Sequence, residues 1–240
     1  MNDLNQYSST TRTGEGLAVD EGLRSYMLGV YNYMGLGLAA TAVIAMLFIS
    51  NPALSAAVGG LSFIPFIALI GVSWFGSKMI FSTGSRAVAH GIYWLYVGLW
   101  AVLIGPMVAA YVGLGMAQIV YQAFFITAAM FGATSLYGYT TKRDMSGMGG
   151  ILTMIGIGLL LAIVVNFFFA STLMSLLISF AVVIFMAVVT AFETQMIKNL
   201  YREGAGEANA RASIFGAFAL YGAFVTIFIH ILNILGIMRE

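Results

Sequence analysis

Three side chains inside or at the ends of long apolar segments could do chemistry: Glu193, His230 and Lys78. An ionisable group is costly in hydrocarbon, so each such residue is by default a candidate for handling ions or protons. Glu193 closes the segment that begins near Thr172, with Thr190 and Thr194 beside it. A helix from Met174 to Glu193 rises roughly 29 Å at 1.5 Å per residue, which puts the carboxylate at the edge of a bilayer core and not at its midplane. Two readings are open there. One is an interfacial acid, solvated or paired with Lys198 or Arg211. The other is a carboxylate tucked between helices, able to gate or bind a cation. His230 lies deeper, well inside the last apolar segment. A neutral imidazole there suits a hydrogen-bonded link between helices, and its titration near physiological pH also suits a proton site. Lys78 closes the second segment, where a lysine snorkels to the interface.

Other chemistries lack their residues. Cysteine is absent, so there is no disulfide, thiol redox centre or thiolate metal site. The two histidines, His90 and His230, fall on different apolar segments, and no paired-His metal motif exists. No phosphate-cradling glycine loop with a Lys, dinucleotide fingerprint or Ser-His-Asp arrangement is present. The expectation is a protein that is not an enzyme, with no metal and no cofactor. A net charge of +1 excludes a broad nucleic-acid footprint.

The elements that hold these residues follow from composition and charge. The chain is 61% hydrophobic and 8% charged, against about 25% charged in an average soluble domain. Seven apolar segments are long enough to cross a bilayer, which takes about 20 residues of helix. They fall near Tyr26–Ser50, Ala53–Ser77, Ala87–Tyr111, Ala117–Tyr139, Gly149–Phe169, Thr172–Glu193 and Ser213–Ile237. The fold class is therefore all-α, a polytopic membrane protein of seven transmembrane helices in contact with lipid. Nine of the ten Lys and Arg residues fall in every second gap: Arg12 and Arg24, then Lys78 and Arg86, then Lys142 and Arg143, then Lys198, Arg202 and Arg211. Short cytoplasmic loops carry such an excess of positive charge. The expected orientation is N-terminus in the cytoplasm and C-terminus outside, with Arg239 alone breaking the pattern.

The alternate loops are very short: Asn51-Pro52, Val112 to Met116, and Ala170-Ser171. Neighbouring helices must be antiparallel and adjacent, and no domain can hang from such loops. Residues 1–22 read as a flexible polar tail, too poor in apolar surface to order itself. That tail has acids but no short apolar run, so it is not a signal peptide. Residues 23–240 form the membrane domain. Its 28 glycines and fifteen methionines suit close helix packing and gap filling. Pro106, after Gly105, is placed to kink the third segment.

Three stretches carry a resemblance. The loop after the fourth segment reads Tyr137-Gly138-Tyr139-Thr140-Thr141-Lys142-Arg143-Asp144-Met145-Ser146. The sixth segment ends Thr190-Ala191-Phe192-Glu193-Thr194-Gln195-Met196-Ile197-Lys198. The seventh contains Ala219-Leu220-Tyr221 and ends Leu232-Asn233-Ile234-Leu235-Gly236. With Leu23-Arg24-Ser25-Tyr26 ahead of the first segment, these resemble the Bax inhibitor-1 family, in particular its bacterial YccA-like branch, from about Gly22 onward.

The resemblance implies a last helix surrounded by the other six and a location in the inner membrane. It also implies, for some members, a pH-sensitive calcium leak sensed by two carboxylates. The first carries over as Glu193, a longer acid. The second does not: Leu220-Tyr221-Gly222-Ala223-Phe224 puts Ala223 where the family pattern has an Asp. Lys78 roughly matches a basic position of the family. Two function classes follow. One is a proton-modulated leak for calcium or another cation through Glu193. The other is a non-transporting regulator that binds membrane proteins, such as a membrane-bound quality-control protease. Ala223 favours the regulator and Glu193 the leak.

Overall fold

The computed structural model describes residues 3–61, 63–82 and 84–239, with side chains described from residue 21 onward. All regular structure among them is helical. The elements are α1 (Asp3–Ser50), α2 (Pro52–Gly60), α3 (Phe63–Ser82), α4 (Arg86–Gly113), α5 (Ala117–Thr140), a 3₁₀ turn (Ser146–Met148), α6 (Gly149–Phe169), α7 (Thr172–Asn199) and α8 (Gly206–Ile237). Seven of these, all but α2 and the 3₁₀ turn, hold stretches long and apolar enough to cross a membrane, the stretch in α1 being Glu21–Ser50. The expected polar tail of residues 1–22 falls mostly outside the residues whose side chains are described, although the helix assignment begins at Asp3.

Local chemistry sets the breaks. The residue before a proline is pushed out of the helical region, so α1 ends at Ser50 and Asn51-Pro52 starts a new helix. The Asn51 Oδ1 caps it by accepting the Leu54 N–H at 3.1 Å, and Pro52 stands in the first turn, where a missing N–H costs nothing. Here the structure corrects the sequence reading. The expected single span Ala53–Ser77 is two helices, and the crossing runs Phe63–Ser82. Gly59 and Gly60 are weak helix formers. Pro65 has no N–H to give and would crowd the carbonyl of Leu61, four residues back. The second correction is at α7, which continues past Glu193 to Asn199. Pro106, by contrast, lies within an uninterrupted α4.

The last helix is the core. In the most apolar window of α8, 72% of residues are buried inside the protein, against 6% for α6. Helices α1, α3, α4, α5 and α7 all pack on α8, while α6 packs chiefly on α7 at the periphery. Apolar burial gains little when the alternative is lipid, so close approach and hydrogen bonds must hold such a bundle. Both are present. Gly222 of α8 sits against the Tyr96 hydroxyl of α4, where any Cβ would collide. The Thr41 Oγ1 of α1 and the Tyr221 hydroxyl of α8 are 2.7 Å apart. Tyr93 of α4 donates to the Tyr33 carbonyl of α1, and Tyr26 donates to the Ile197 carbonyl of α7 at 3.1 Å.

Candidate functional site

The end of α7 carries Glu193, Thr194 and Gln195 in succession. Successive helical residues point about 100° apart, so the three side chains serve three neighbours. Thr194 Oγ1 donates to the Thr190 carbonyl at 2.8 Å and lies 3.0 Å from the Ser135 Oγ of α5. Ser135 is in turn 2.7 Å from the Tyr31 hydroxyl of α1. This relay ties α7 to α5 and α1.

Gln195 holds the loop between α5 and α6. Its Nε2 donates to the Arg143 carbonyl at 2.9 Å, and its Oε1 accepts the Met145 N–H at 2.8 Å. Asp144 between them turns the chain by accepting the Ser146 N–H at 2.9 Å. Hydrogen bonds from the Ser146 backbone and hydroxyl hold the Asp144 carboxyl below the usual carboxylate range. The two most distinctive stretches of the sequence are thus one structural unit. Gln195→Leu leaves the buried Met145 N–H without its partner, at a cost of about 1–3 kcal/mol, and frees the Arg143 carbonyl. Trypsin should then cut at Lys142 and Arg143 faster than in the wild type at equal temperature.

Glu193 takes the remaining direction, toward α4 and α8. The residue as a whole is half-buried, but its Oε2 is fully buried and has no hydrogen-bond partner. The Tyr96 hydroxyl lies within its electrostatic reach, in a neighbourhood that also holds Ser73 and Trp100. The Trp100 Nε1 is likewise buried without a partner. Tyr96 is fixed between the small Gly222 and the ring of Phe218, on which it stacks at 4.1 Å between centroids.

Neither cation considered for Glu193 pairs with it. Lys198 donates to the Tyr139 carbonyl at 2.8 Å, with Nζ 5.2 Å from the Tyr139 ring centre. Arg211 donates to the Phe81 carbonyl at 3.2 Å, at the end of α3. Lys78 is exposed, four residues inside the end of α3. Ala223 is 2% exposed on α8.

His230 belongs elsewhere. Its Nδ1 lies 3.1 Å from the Ser179 Oγ. The Asn233 Nδ2 donates to Ser175 at 3.0 Å and to Ser179 at 2.8 Å. These four residues form a polar link between α7 and α8. Ser179 and Glu193 are fourteen residues apart on one helix, about 21 Å along its axis, so His230 and Glu193 do not share a site. No cluster of three or more His, Cys, Asp or Glu able to hold a metal occurs among the described residues.

Tyr96 and Trp100 went unread in the sequence. Aromatic residues count as apolar in hydropathy, and nothing marks which face of α4 they occupy. The available signal was a buried-type span carrying Tyr93 and Tyr96 three residues apart, on one helix face, with hydroxyls that need partners.

Comparison with known proteins decides the family. The family described as inhibitor of apoptosis-promoting Bax1 matches residues 23–240. The chain belongs to the Bax inhibitor-1 family. The inner membrane protein YbhL of Escherichia coli K12 is 36% identical over 223 residues, covering 91% of this chain and 94% of YbhL. Protein RP147 of Rickettsia prowazekii is 36% identical over 239 residues, covering 98% and 99% of the two chains. A Caulobacter vibrioides protein is 33% identical over the full length of both. With seven apolar helices and a relative named for the inner membrane, this Bax inhibitor-1 family member is a multi-pass inner-membrane protein.

Proposed function

We propose that this protein is a pH-sensitive cation leak, for calcium or a similar ion, in which Glu193 is the sensing carboxylate. One observation carries the reading: Oε2 of Glu193 is buried among α4, α7 and α8 without a hydrogen-bond partner. Buried polar oxygens are nearly always partnered, and an unpartnered acid inside a bundle is suited to exchange a proton or a cation. Tyr96 lies within its electrostatic reach, with Trp100 and Ser73 beside Tyr96. The chain performs no catalysis in this reading, and the basic loops face the cytoplasm, with the N-terminus inside and the C-terminus outside. The test is calcium entry into liposomes holding the purified protein, measured from acid to neutral pH. Flux that varies with pH is expected; liposomes as tight as protein-free controls would reject the leak.

A second reading has its own observation. Ala223 stands, buried, where the resemblance places a second acid. Without it no pair of carboxylates shares a proton. That favours a regulator of other membrane proteins, such as a membrane-bound protease. Ala223→Asp separates the readings. A lone Asp at a helix centre costs about 2.5–3.5 kcal/mol on insertion scales unless it is paired. In the leak, the variant stays folded and its flux–pH curve moves along the pH axis, because two nearby acids resist double ionisation. In the regulator, the variant loses thermal stability and no flux responds.

A further inference from the structure

Helices α1 and α5 both flank α8, yet they barely touch each other. The Tyr31–Ser135 hydrogen bond bridges the space between them. On either side of that space are two hollows open toward the bilayer. The one toward the loop between α4 and α5 has a volume of 330 Å³ and is walled by Leu38, Thr41 and Phe224 among others. The one at the basic end has a volume of 410 Å³ and runs from Arg24 past Met27 and Leu28 to Phe131 and Gly132. Phe131 and Phe224, 5.6 Å apart edge to face, form a partition between them.

The chemistry of the basic-end furrow is that of a lipid held by both ends. Its walls are mainly apolar, with the hydroxyls of Tyr31 and Ser135 bonded to each other across it, and its deep end is aromatic. Its mouth is cationic. Arg24 is exposed there and has no hydrogen-bond or ion-pair partner among the described residues. Arg24 is the one cation among its described lining residues. Among the described residues no acid lines the furrow. An Arg guanidinium offers five donors in a fork that matches phosphate oxygens. At Gly132 a Cβ would meet nothing within 4 Å, so the furrow has open space at its inner end.

We propose that this furrow is a binding site for an anionic phospholipid of the leaflet at the basic end. The phosphate sits at Arg24, and one acyl chain runs between α1 and α5 as far as Phe131. Charge at the mouth and apolar depth behind it select this occupant over a zwitterionic lipid, whose headgroup gains less from the Arg24 cation. The inference is independent of any ion leak.

The test is native mass spectrometry of the detergent-purified protein, titrated with phosphatidylglycerol or phosphatidylcholine. The wild type should retain phosphatidylglycerol about fivefold more than phosphatidylcholine, as one surface Arg implies. Arg24→Gln should bring the ratio close to one, and Arg24→Lys should keep most of it. Gly132→Leu, which fills the furrow, should lower retention of both lipids. Thermal unfolding without lipid checks each variant; if Gly132→Leu is unstable, Leu28→Trp on the opposite wall carries the same test. Equal retention of the two lipids by the wild type would overturn the proposal, as would an unchanged ratio in Arg24→Gln. So would undiminished retention in a folded furrow-filling variant. Displacement of the lipid by glycerol phosphate at equal concentration would also overturn it, since the acyl chain would then contribute nothing.

Discussion

Gly138→Ala should unfold the protein at a markedly lower temperature than wild type, with a loss of about 3 kcal/mol or more. Gly138 is where α5 crosses α7. A Cβ there would lie 2.8 Å from the Cα and 2.9 Å from the carbonyl carbon of Ala191, and closer still to its oxygen. All three are backbone atoms, so no side chain can swing away; the helices themselves must part. Parting them would stretch the Ser135–Thr194 contact and the Lys198–Tyr139 bond, which join the same two elements. Gly132→Ala on the same helix is the control. No atom stands within 4 Å of that Cβ, and replacing Gly by Ala inside a helix gains up to about 1 kcal/mol. The measurement is thermal unfolding of both variants in one detergent. A Gly138→Ala midpoint equal to wild type would mean that α5 and α7 do not meet as described.

Much of this arrangement was legible in the residues. Alternating loop charge marked seven crossings, and the pattern places Lys142-Arg143 and Lys198 on one end, where the structure has them together. The apolar run from Ala53 onward hid the break at Gly59-Gly60. Hydropathy sums side chains and does not register that Pro65 lacks an N–H. The end of α7, the sixth span, was missed for a related reason. Thr194 and Gln195 look like the start of a loop because they are polar. In the fold their hydrogen bonds go to Ser135, Arg143 and Met145, so the helix runs on for six residues past Glu193 to Asn199. The pairing of Glu193 with Lys198 or Arg211 was equally plausible on spacing. It fails because the carbonyls of Tyr139 and Phe81 claim those cations, and long-range backbone partners leave no local trace. His230 lies in a polar link with Ser179, as one of its two sequence readings had it.

Glu193→Gln is expected to have the largest effect on function. Gln keeps the shape of Glu and its position among α4, α7 and α8, so the unfolding temperature should stay within a few degrees of wild type. It carries no charge at any pH in question. A divalent cation passing an otherwise apolar bundle then loses its one anionic partner in this region, and no proton can be exchanged there. Calcium flux into liposomes holding wild type or Glu193→Gln, each measured from acid to neutral pH, therefore tests the central claim directly. The account predicts pH-dependent flux in the wild type and a nearly flat profile in the variant. A variant profile that overlays the wild type, with the same flux and the same response to pH, would contradict it and reduce Glu193 to a packing residue.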